Sequence, residues 1–196
     1  MLKIGITGGI GSGKSTICNM FRNLGVPIFS SDEEGRKILN EDEEVRAEIK
    51  KLYGQDMFHS NGEIDRPRLA SLVFSDPTAM ENVVNLVHPK VQAKYEKWCV
   101  KNESSPYTLK EAAILFESGY YHDLDKIINV FAPKEVRMER VIKRDKSIKE
   151  EVMKRMRFQY TDEERNKLAD FILMNEDLDS LLPQVMELHE IFVNET

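Results

Sequence analysis

The first thirty residues carry an alternation of apolar and polar positions that predicts a strand, a helix and a second strand. Residues 2–6 alternate Leu and Ile with small or polar residues and then enter a glycine-rich turn. From residue 14 to residue 24 the apolar positions have helical spacing, and Gly25 follows as a helix-ending residue. Residues 26–29 predict a second short strand. This order predicts a βαβ unit whose two strands are parallel.

Apolar runs in the second half of the chain predict three further strands. Residues 107–117 contain an apolar run at 112–116, and a second run occupies residues 127–132. Runs of this length are typical of buried strands in a parallel sheet, although the periodicity alone also fits a buried helix. Residues 169–174 predict a last strand, and Leu178 is the first apolar position of a terminal helix. Five strands that alternate with helices predict an α/β fold of three layers around a five-stranded parallel sheet.

Two long segments between these strands are helical and strongly charged. Residues 31–100 are mainly helical, with a turn-rich stretch at 53–62, and they predict a helical insertion. Residues 134–165 follow Pro133 and predict a second charged helical region. With 196 residues, 41% of them hydrophobic, the chain has the size of one domain that carries insertions.

Charge is distributed unevenly along the chain. The net charge of −6 disfavours a general nucleic-acid surface, yet residues 134–167 hold twelve Lys and Arg against eight Asp and Glu. This basic segment favours a polyanionic small molecule as ligand, although the same charges could pair along a solvated helix. The sequence has no apolar stretch that could span a bilayer and starts directly in a strand, so a cytoplasmic protein is expected. Cys18 and Cys99 lack the companions of a zinc site or a disulfide framework.

The glycine-rich turn matches the phosphate-binding pattern G-x-x-x-x-G-K-[ST] in full at Gly8–Ser15, between a predicted strand and a predicted helix. Glycines let successive backbone N–H groups point at phosphate oxygens, and the helix presents its positive N-terminal end to the same anion. Lys14 is expected to reach the β- and γ-phosphates, Ser15 to hold Mg²⁺, and Thr16 to contact the α-phosphate. The predicted ATP-binding residues of the loop are Gly9, Gly11, Ser12, Gly13, Lys14, Ser15 and Thr16.

The acceptor of the phosphoryl group must be inferred from other residues. Residues 32–35 fit D-x-x-G and residues 166–169 begin like the guanine-reading N-K-x-D. The second lacks its aspartate and the first follows directly on the second strand, so a GTPase is disfavoured. Phosphoryl transfer to an alcohol or a phosphate remains, for which Asp32, at the end of the second strand, is a candidate general base. Asp32 could instead cap the following helix.

Seven segments, in chain order, match the motifs of one family over almost the whole chain. They are residues 5–16, residues 25–27 leading to Asp32, residues 65–66 with Leu69 and residues 73–74, then residues 88–89, 115–117, 132–133 and 169–175. Together they resemble the dephospho-CoA kinase family. The resemblance implies Mg²⁺- and ATP-dependent phosphorylation of the ribose 3′-hydroxyl of dephospho-CoA, which gives coenzyme A and ADP in the last step of coenzyme A biosynthesis.

The resemblance also implies a domain organisation like that of nucleoside monophosphate kinases. The P-loop core would comprise residues 1–31, 101–137 and 166–196. Residues 32–100 would form the helical insertion that binds CoA as acceptor, and residues 138–165 would form a helical lid. The expected partners are ATP and dephospho-CoA, without nucleic acid or membrane, in a monomer or weak homo-oligomer.

Individual site residues follow from the matched motifs. The implied catalytic residues are Asp32 as general base, Lys14 and Arg140. Arg140 and Arg144 lie four apart on one helix face and could clamp the triphosphate, or could instead pair with neighbouring acids such as Asp145. Asn175 would border the adenine pocket.

The implied substrate-binding residues, besides Asp32, are Arg66, His88, Phe116 and Glu117. Arg66 could bind the acceptor's phosphates or cap a helix, and His88 could contact the acceptor or be structural. Glu117 could hold a Mg²⁺-bound water or form a structural pair.

The chain departs from the family pattern at two places. It has Ser30-Ser31-Asp32 where the family commonly has D-A-D, and Ala112 or Ala113 where the family has a proline. Two other functions remain open at this point: a nucleoside monophosphate kinase, and a nucleotide-binding protein without small-molecule turnover.

Overall fold

The computed structural model describes residues 1–176 and 180–195, and the chain divides into two compact units. The first unit comprises Met1–Ser30 and the chain from Trp98 onward, and the second comprises Ser31–Lys97. Leu178, expected in the terminal helix, lies outside the described residues.

All five strands belong to one parallel sheet in the first unit. They are β1 Leu2–Thr7, β2 Ile28–Ser30, β3 Tyr107–Glu111, β4 Lys126–Phe131 and β5 Phe171–Met174. Their spatial order is β2-β3-β1-β4-β5. The predicted α/β fold with a five-stranded parallel sheet is therefore confirmed.

Helices connect these strands and build the second unit. They are α1 Lys14–Asn23, α2 Ser31–Glu41, α3 Glu43–Tyr53, α4 Arg66–Val73, α5 Pro77–Lys101, α6 Lys134–Asp145, α7 Lys149–Met156, α8 Asp162–Leu168 and α9 Leu181–Asn194. No helix in the described ranges is long and apolar enough to cross a membrane.

The two faces of β1 show how the sheet is covered. Ile4 and Ile6 are fully buried in a cluster with residues of α1 and α9, among them Phe21 and Phe192. Because side chains alternate along a strand, Gly5 faces the opposite layer. A Cβ atom at Gly5 would lie 2.8 Å from Leu115 Cδ2, so the glycine makes room for a side chain of that layer.

The prediction that the apolar run 112–116 forms the third strand is wrong. That strand is Tyr107–Glu111, and the run follows it as a turn. Leu115 and Phe116 are buried there against Ile127 of β4. The run is apolar because it covers the second face of the sheet, whereas strand β3 itself buries the polar residues Thr108 and Lys110. The longest apolar run in this part of the sequence therefore belongs to the turn that covers the sheet and not to the strand.

The second unit is helical around a turn-rich centre, as the pattern predicted. A 3-10 turn at Gln55–Met57 precedes an isolated antiparallel bridge between Phe58 and Ile64. Asp42 caps α3 by accepting a hydrogen bond from the Val45 N–H at 3.0 Å. The buried apolar residues of this unit include Ile38, Val45, Ile49, Ile64, Leu69 and Val87.

Candidate active site

The phosphate-binding loop occupies the carboxyl end of β1 and leads directly into α1. Gly13 precedes the helix with φ of +95°, in the left-handed region that a residue with a side chain rarely adopts. Lys14, the first helical residue, is 8% exposed, and its ammonium donates a hydrogen bond to the Gly8 carbonyl at 2.8 Å. A buried cation beside the N-terminal end of a helix forms a site for phosphate.

Asn175 fixes this loop from the end of β5. Its side-chain amide donates to the Ser12 carbonyl at 2.6 Å, and its backbone N–H donates to Phe131 O at 2.7 Å. A Cβ atom at Gly13 would lie 2.0 Å from Asn175 Nδ2, so only glycine fits there. The buried Asn175 side chain thus holds the loop's backbone in position, a contact that motif matching did not suggest.

A cluster of three charged side chains packs against the loop at Gly9. Its members are Arg137, Asp162 and Arg165, and it is named the Asp162 cluster. Arg137 donates to the Ala132 carbonyl at 2.9 Å and to Asp162 at 2.7 Å, and Arg165 also donates to Asp162 and to the Tyr160 carbonyl. A Cβ atom at Gly9 would lie 2.0 Å from Arg137 Nη1, so this guanidinium is in close contact with the loop. Burial lowers the pKa of Arg137 below its ordinary value, although Asp162 opposes this effect. The cluster places excess positive charge beside the loop.

Two polar residues meet at the carboxyl ends of β2 and β3. Ser30 lies opposite Glu111 in the strand register, and its hydroxyl donates to Glu111 Oε2 at 2.8 Å. Burial raises the pKa of Cys18 to about 12, with the charge of Glu111 adding to the rise and that of Lys14 opposing it. Asp32 follows Ser30 by two residues, as the second residue of α2.

The first unit offers oxygen ligands suited to Mg²⁺. Ser15 begins α1 after Lys14, and Glu111 ends the strand beside β1. Within residues 1–176 and 180–195 no group of three or more His, Cys, Asp or Glu side chains could hold a metal alone. Mg²⁺ is usually bound by one or two protein oxygens together with substrate phosphates, so Ser15 and Glu111 are oxygen donors of the kind that it takes.

The sequence matches the model of one protein family over nearly its whole length. The model of the family described as "CoaE: Dephospho-CoA kinase" matches residues 2–180. The chain belongs to the dephospho-CoA kinase family.

Individual relatives show the same similarity. A dephospho-CoA kinase of Bacteroides fragilis is 39% identical over 187 residues, which cover 95% of this chain and 91% of the relative. A solved dephospho-CoA kinase from Campylobacter jejuni superposes with a TM-score of 0.72 at 29% identity, covering 99% of this chain and 98% of that one. A Thermus thermophilus crystal structure has a TM-score of 0.84 at 33% identity and covers 97% and 96%.

The arginines suggested by the family's lid motif lie on α6. Arg140 is half-buried and donates to the Asn175 carbonyl at 3.4 Å. Arg144 is exposed and pairs with Asp145 at 2.7 Å, and Asp145 also pairs with Arg155 at 2.8 Å. These arginines lower the pKa of Asp145 to about 2. Arg144 thus has the acidic neighbour that the alternative interpretation required, and the predicted phosphate clamp remains a prediction.

Phe116 and Glu117 are held by the segment between α7 and α8. Glu117 Oε1 accepts a hydrogen bond from the Tyr160 N–H at 2.6 Å, so it has the structural partner considered as an alternative. Phe116 is 3% exposed and stacks on the Tyr160 ring at a centroid distance of 6.4 Å. Because Phe116 is buried within the first unit, it is better suited to support neighbouring residues than to contact a ligand directly.

Arg66 and His88 belong to the second unit. Arg66 is the exposed first residue of α4, whose cap is Asp65, which accepts from the Arg68 N–H at 3.0 Å. His88 lies within α5, half-buried, directly before Pro89. Their predicted contacts with the acceptor remain predictions.

Sequence reasoning assigned no role to Glu111, to Gln159 or to the cluster of Arg137, Asp162 and Arg165. Glu111 was overlooked because the strand was placed at the apolar run that follows it. A strand predicted at Tyr107–Glu111 would have put this carboxylate at the carboxyl end of a strand, where site residues are expected. Gln159 lies in the implied lid 138–165, and its contacts depend on residues far away in sequence. Nothing in the spacing of Arg137, Asp162 and Arg165 indicates that they meet.

Proposed function

We propose that the chain transfers the γ-phosphoryl group of ATP to the ribose 3′-hydroxyl of dephospho-CoA, producing coenzyme A and ADP in the last step of coenzyme A biosynthesis. The observation that supports it most directly is a complete phosphate loop with the carboxylate of Glu111 at the end of the neighbouring strand β3, in a chain of the dephospho-CoA kinase family. A cytoplasmic location and a monomer or weak homo-oligomer accord with this proposal.

The reaction is an in-line displacement at phosphorus. Asp32 accepts the proton of the ribose 3′-hydroxyl while that oxygen bonds to the γ-phosphorus and the bond to the β,γ-bridging oxygen breaks. Lys14 and the backbone N–H groups of the loop stabilise the negative charge that builds on the transferring group and on departing ADP. Bound Mg²⁺ would neutralise β- and γ-phosphate oxygens, held by Ser15 and, through water, by Glu111.

The remaining residues complete the two substrate sites. The segment 138–165 acts as a lid in which Arg140 and Arg144 bind phosphate oxygens and exclude water. Asn175 borders the nucleotide through its bond to the loop. The second unit is expected to bind the acceptor, with Arg66 and His88 as its contacts. In the first unit, Phe116 and Glu117 are expected to support a substrate site from within the fold.

The test is ADP release with dephospho-CoA, compared with AMP, CMP and shikimate as acceptors. Turnover should depend on dephospho-CoA, and Asp32→Asn should lower kcat by about 10²–10⁴-fold while ATP affinity, measured by calorimetry, is retained. Glu33→Gln is the matched control, because Glu33 is exposed on the same helix and only pairs with Lys37 at 3.8 Å. No turnover with dephospho-CoA would refute the activity. Near-normal turnover of Asp32→Asn would refute only the general base.

A further inference from the structure

The side-chain amide of Gln159 joins two loops that are far apart in sequence. Its Oε1 accepts a hydrogen bond from the Ile10 N–H of the phosphate loop at 2.8 Å. Its Nε2 donates to the Ala113 carbonyl, in the turn after β3, at 2.7 Å. An amide has both an acceptor and a donor, so a single side chain can satisfy both loops.

The segment that carries Gln159 is itself firmly held. The next residue, Tyr160, donates its N–H to Glu117, so two consecutive residues hold both ends of the turn 113–117. The Tyr160 carbonyl accepts from Arg165, which is 2% exposed and bonded to Asp162. Thr161 caps α8 in a reciprocal capping box with Glu164. Gln159 therefore projects from a rigid support.

We propose that Gln159 is a positioning residue that holds the phosphate loop and the turn 113–117 at a fixed separation. The role deepens the proposed kinase function and rests on it for its catalytic consequence. Phosphoryl transfer requires the reacting atoms to be aligned closely, and small displacements of the groups that hold them lower the rate. Gln159 acts through Ile10 and Ala113 and does not contact the reacting atoms itself.

Hydrogen exchange of the protein without nucleotide tests directly whether Gln159 links the two loops. Gln159→Met keeps the length of the side chain and removes both bonds, so exchange should accelerate about fivefold or more in the peptides that contain Ile10 and residues 112–117. Gln159→Glu keeps an acceptor for the Ile10 N–H but has no donor for Ala113. In that variant the phosphate-loop peptide should stay protected while the 112–117 peptide exchanges faster.

Gln184→Met provides the matched control. Gln184 also bridges backbone groups, accepting from Met174 N–H at 2.9 Å and donating to Met174 O at 3.0 Å and Ser180 O at 2.8 Å. Its loss should leave exchange of both Gln159-linked peptides unchanged. Thermal unfolding of all variants distinguishes a local change from a general loss of stability.

The catalytic consequence is measured with ATP and dephospho-CoA. Gln159→Met should lower kcat about tenfold while either KM changes less than about threefold, and Gln184→Met should leave both near the parent values. Unchanged exchange in Gln159→Met, exchange raised equally throughout the first unit, or kcat within twofold of the parent would overturn the proposal. If the parent shows no dephospho-CoA-dependent turnover, the proposed function fails, and the exchange experiment still decides whether Gln159 links the two loops.

Discussion

Replacing Asp162 by Asn should destabilise the first unit far more than the equivalent change at Asp145. Both carboxylates bind two arginines and both are 27% exposed. Their partners differ: Arg137 and Arg165 are 5% and 2% exposed, whereas Arg144 and Arg155 are 61% and 35% exposed. The comparison therefore isolates the burial of the cations.

The expected magnitudes follow from that burial. Removing the charge of Asp162 leaves two buried guanidinium groups without the carboxylate that pairs with both, which costs about 3–5 kcal/mol in the free energy of unfolding. At Asp145 water solvates the exposed arginines and screens the pair, so the loss should stay below about 1 kcal/mol, less than the roughly 2 kcal/mol that the full lowering of its pKa would correspond to. Asn keeps the size of the side chain in both cases, so neither change opens a cavity.

Urea unfolding at pH 7 measures the difference. Trp98 is the only tryptophan and belongs to the first unit, where it packs on Phe29 at a centroid distance of 5.6 Å, so its fluorescence reports that unit. Adding Arg165→Met to Asp162→Asn should recover part of the loss, since it removes one uncompensated cation. Equal losses for the Asp162 and Asp145 variants, or a loss below about 1 kcal/mol at Asp162, would refute the reasoning.

Two further predictions concern the phosphate loop and the response to acid. Gly13→Ala should lower the free energy of unfolding by about 1–3 kcal/mol more than Gly25→Ala, as measured by thermal unfolding. Both glycines have positive φ, but only at Gly13 does the new Cβ atom meet Asn175. Equal losses would contradict that contact. Arg144 first, and Arg155 after it, hold the pKa of Asp145 at about 2 against 3.8, so this carboxylate contributes stability above about pH 4 and loses it as pH falls towards 2. The stability gap between the parent and Asp145→Asn in urea should shrink over that range, and a constant gap would exclude the linkage.

The amino-acid sequence alone was sufficient for the features that depend on neighbouring residues. The phosphate loop was identified because Gly8, Gly13 and Lys14 act through local backbone geometry and a fixed spacing. The helix α1 and four of the five strands were located to within a few residues by the period of apolar positions, whereas residues 31–100 and 134–165 were predicted only as helical regions. The helical character of the second unit came from the same pattern.

The third strand and its terminal carboxylate were misplaced for a physical reason. Strand β3 does alternate apolar and polar residues from Tyr107 to Lys110, but it is covered on both faces, so Thr108 and Lys110 are buried as well. The covering turn 112–116 carries the apolar signal instead, and Glu111 was therefore overlooked.

Tertiary structure alone decided which distant residues support the loop. Asn175, Gln159 and the Asp162 cluster reach the loop through hydrogen bonds that span more than a hundred residues or through packing of α6 and α8. No sequence period encodes such contacts, because they arise only when the parallel strands bring their carboxyl ends to one edge of the sheet. The sequence determined the chemistry of phosphate binding, and the fold determined which side chains hold that chemistry in place.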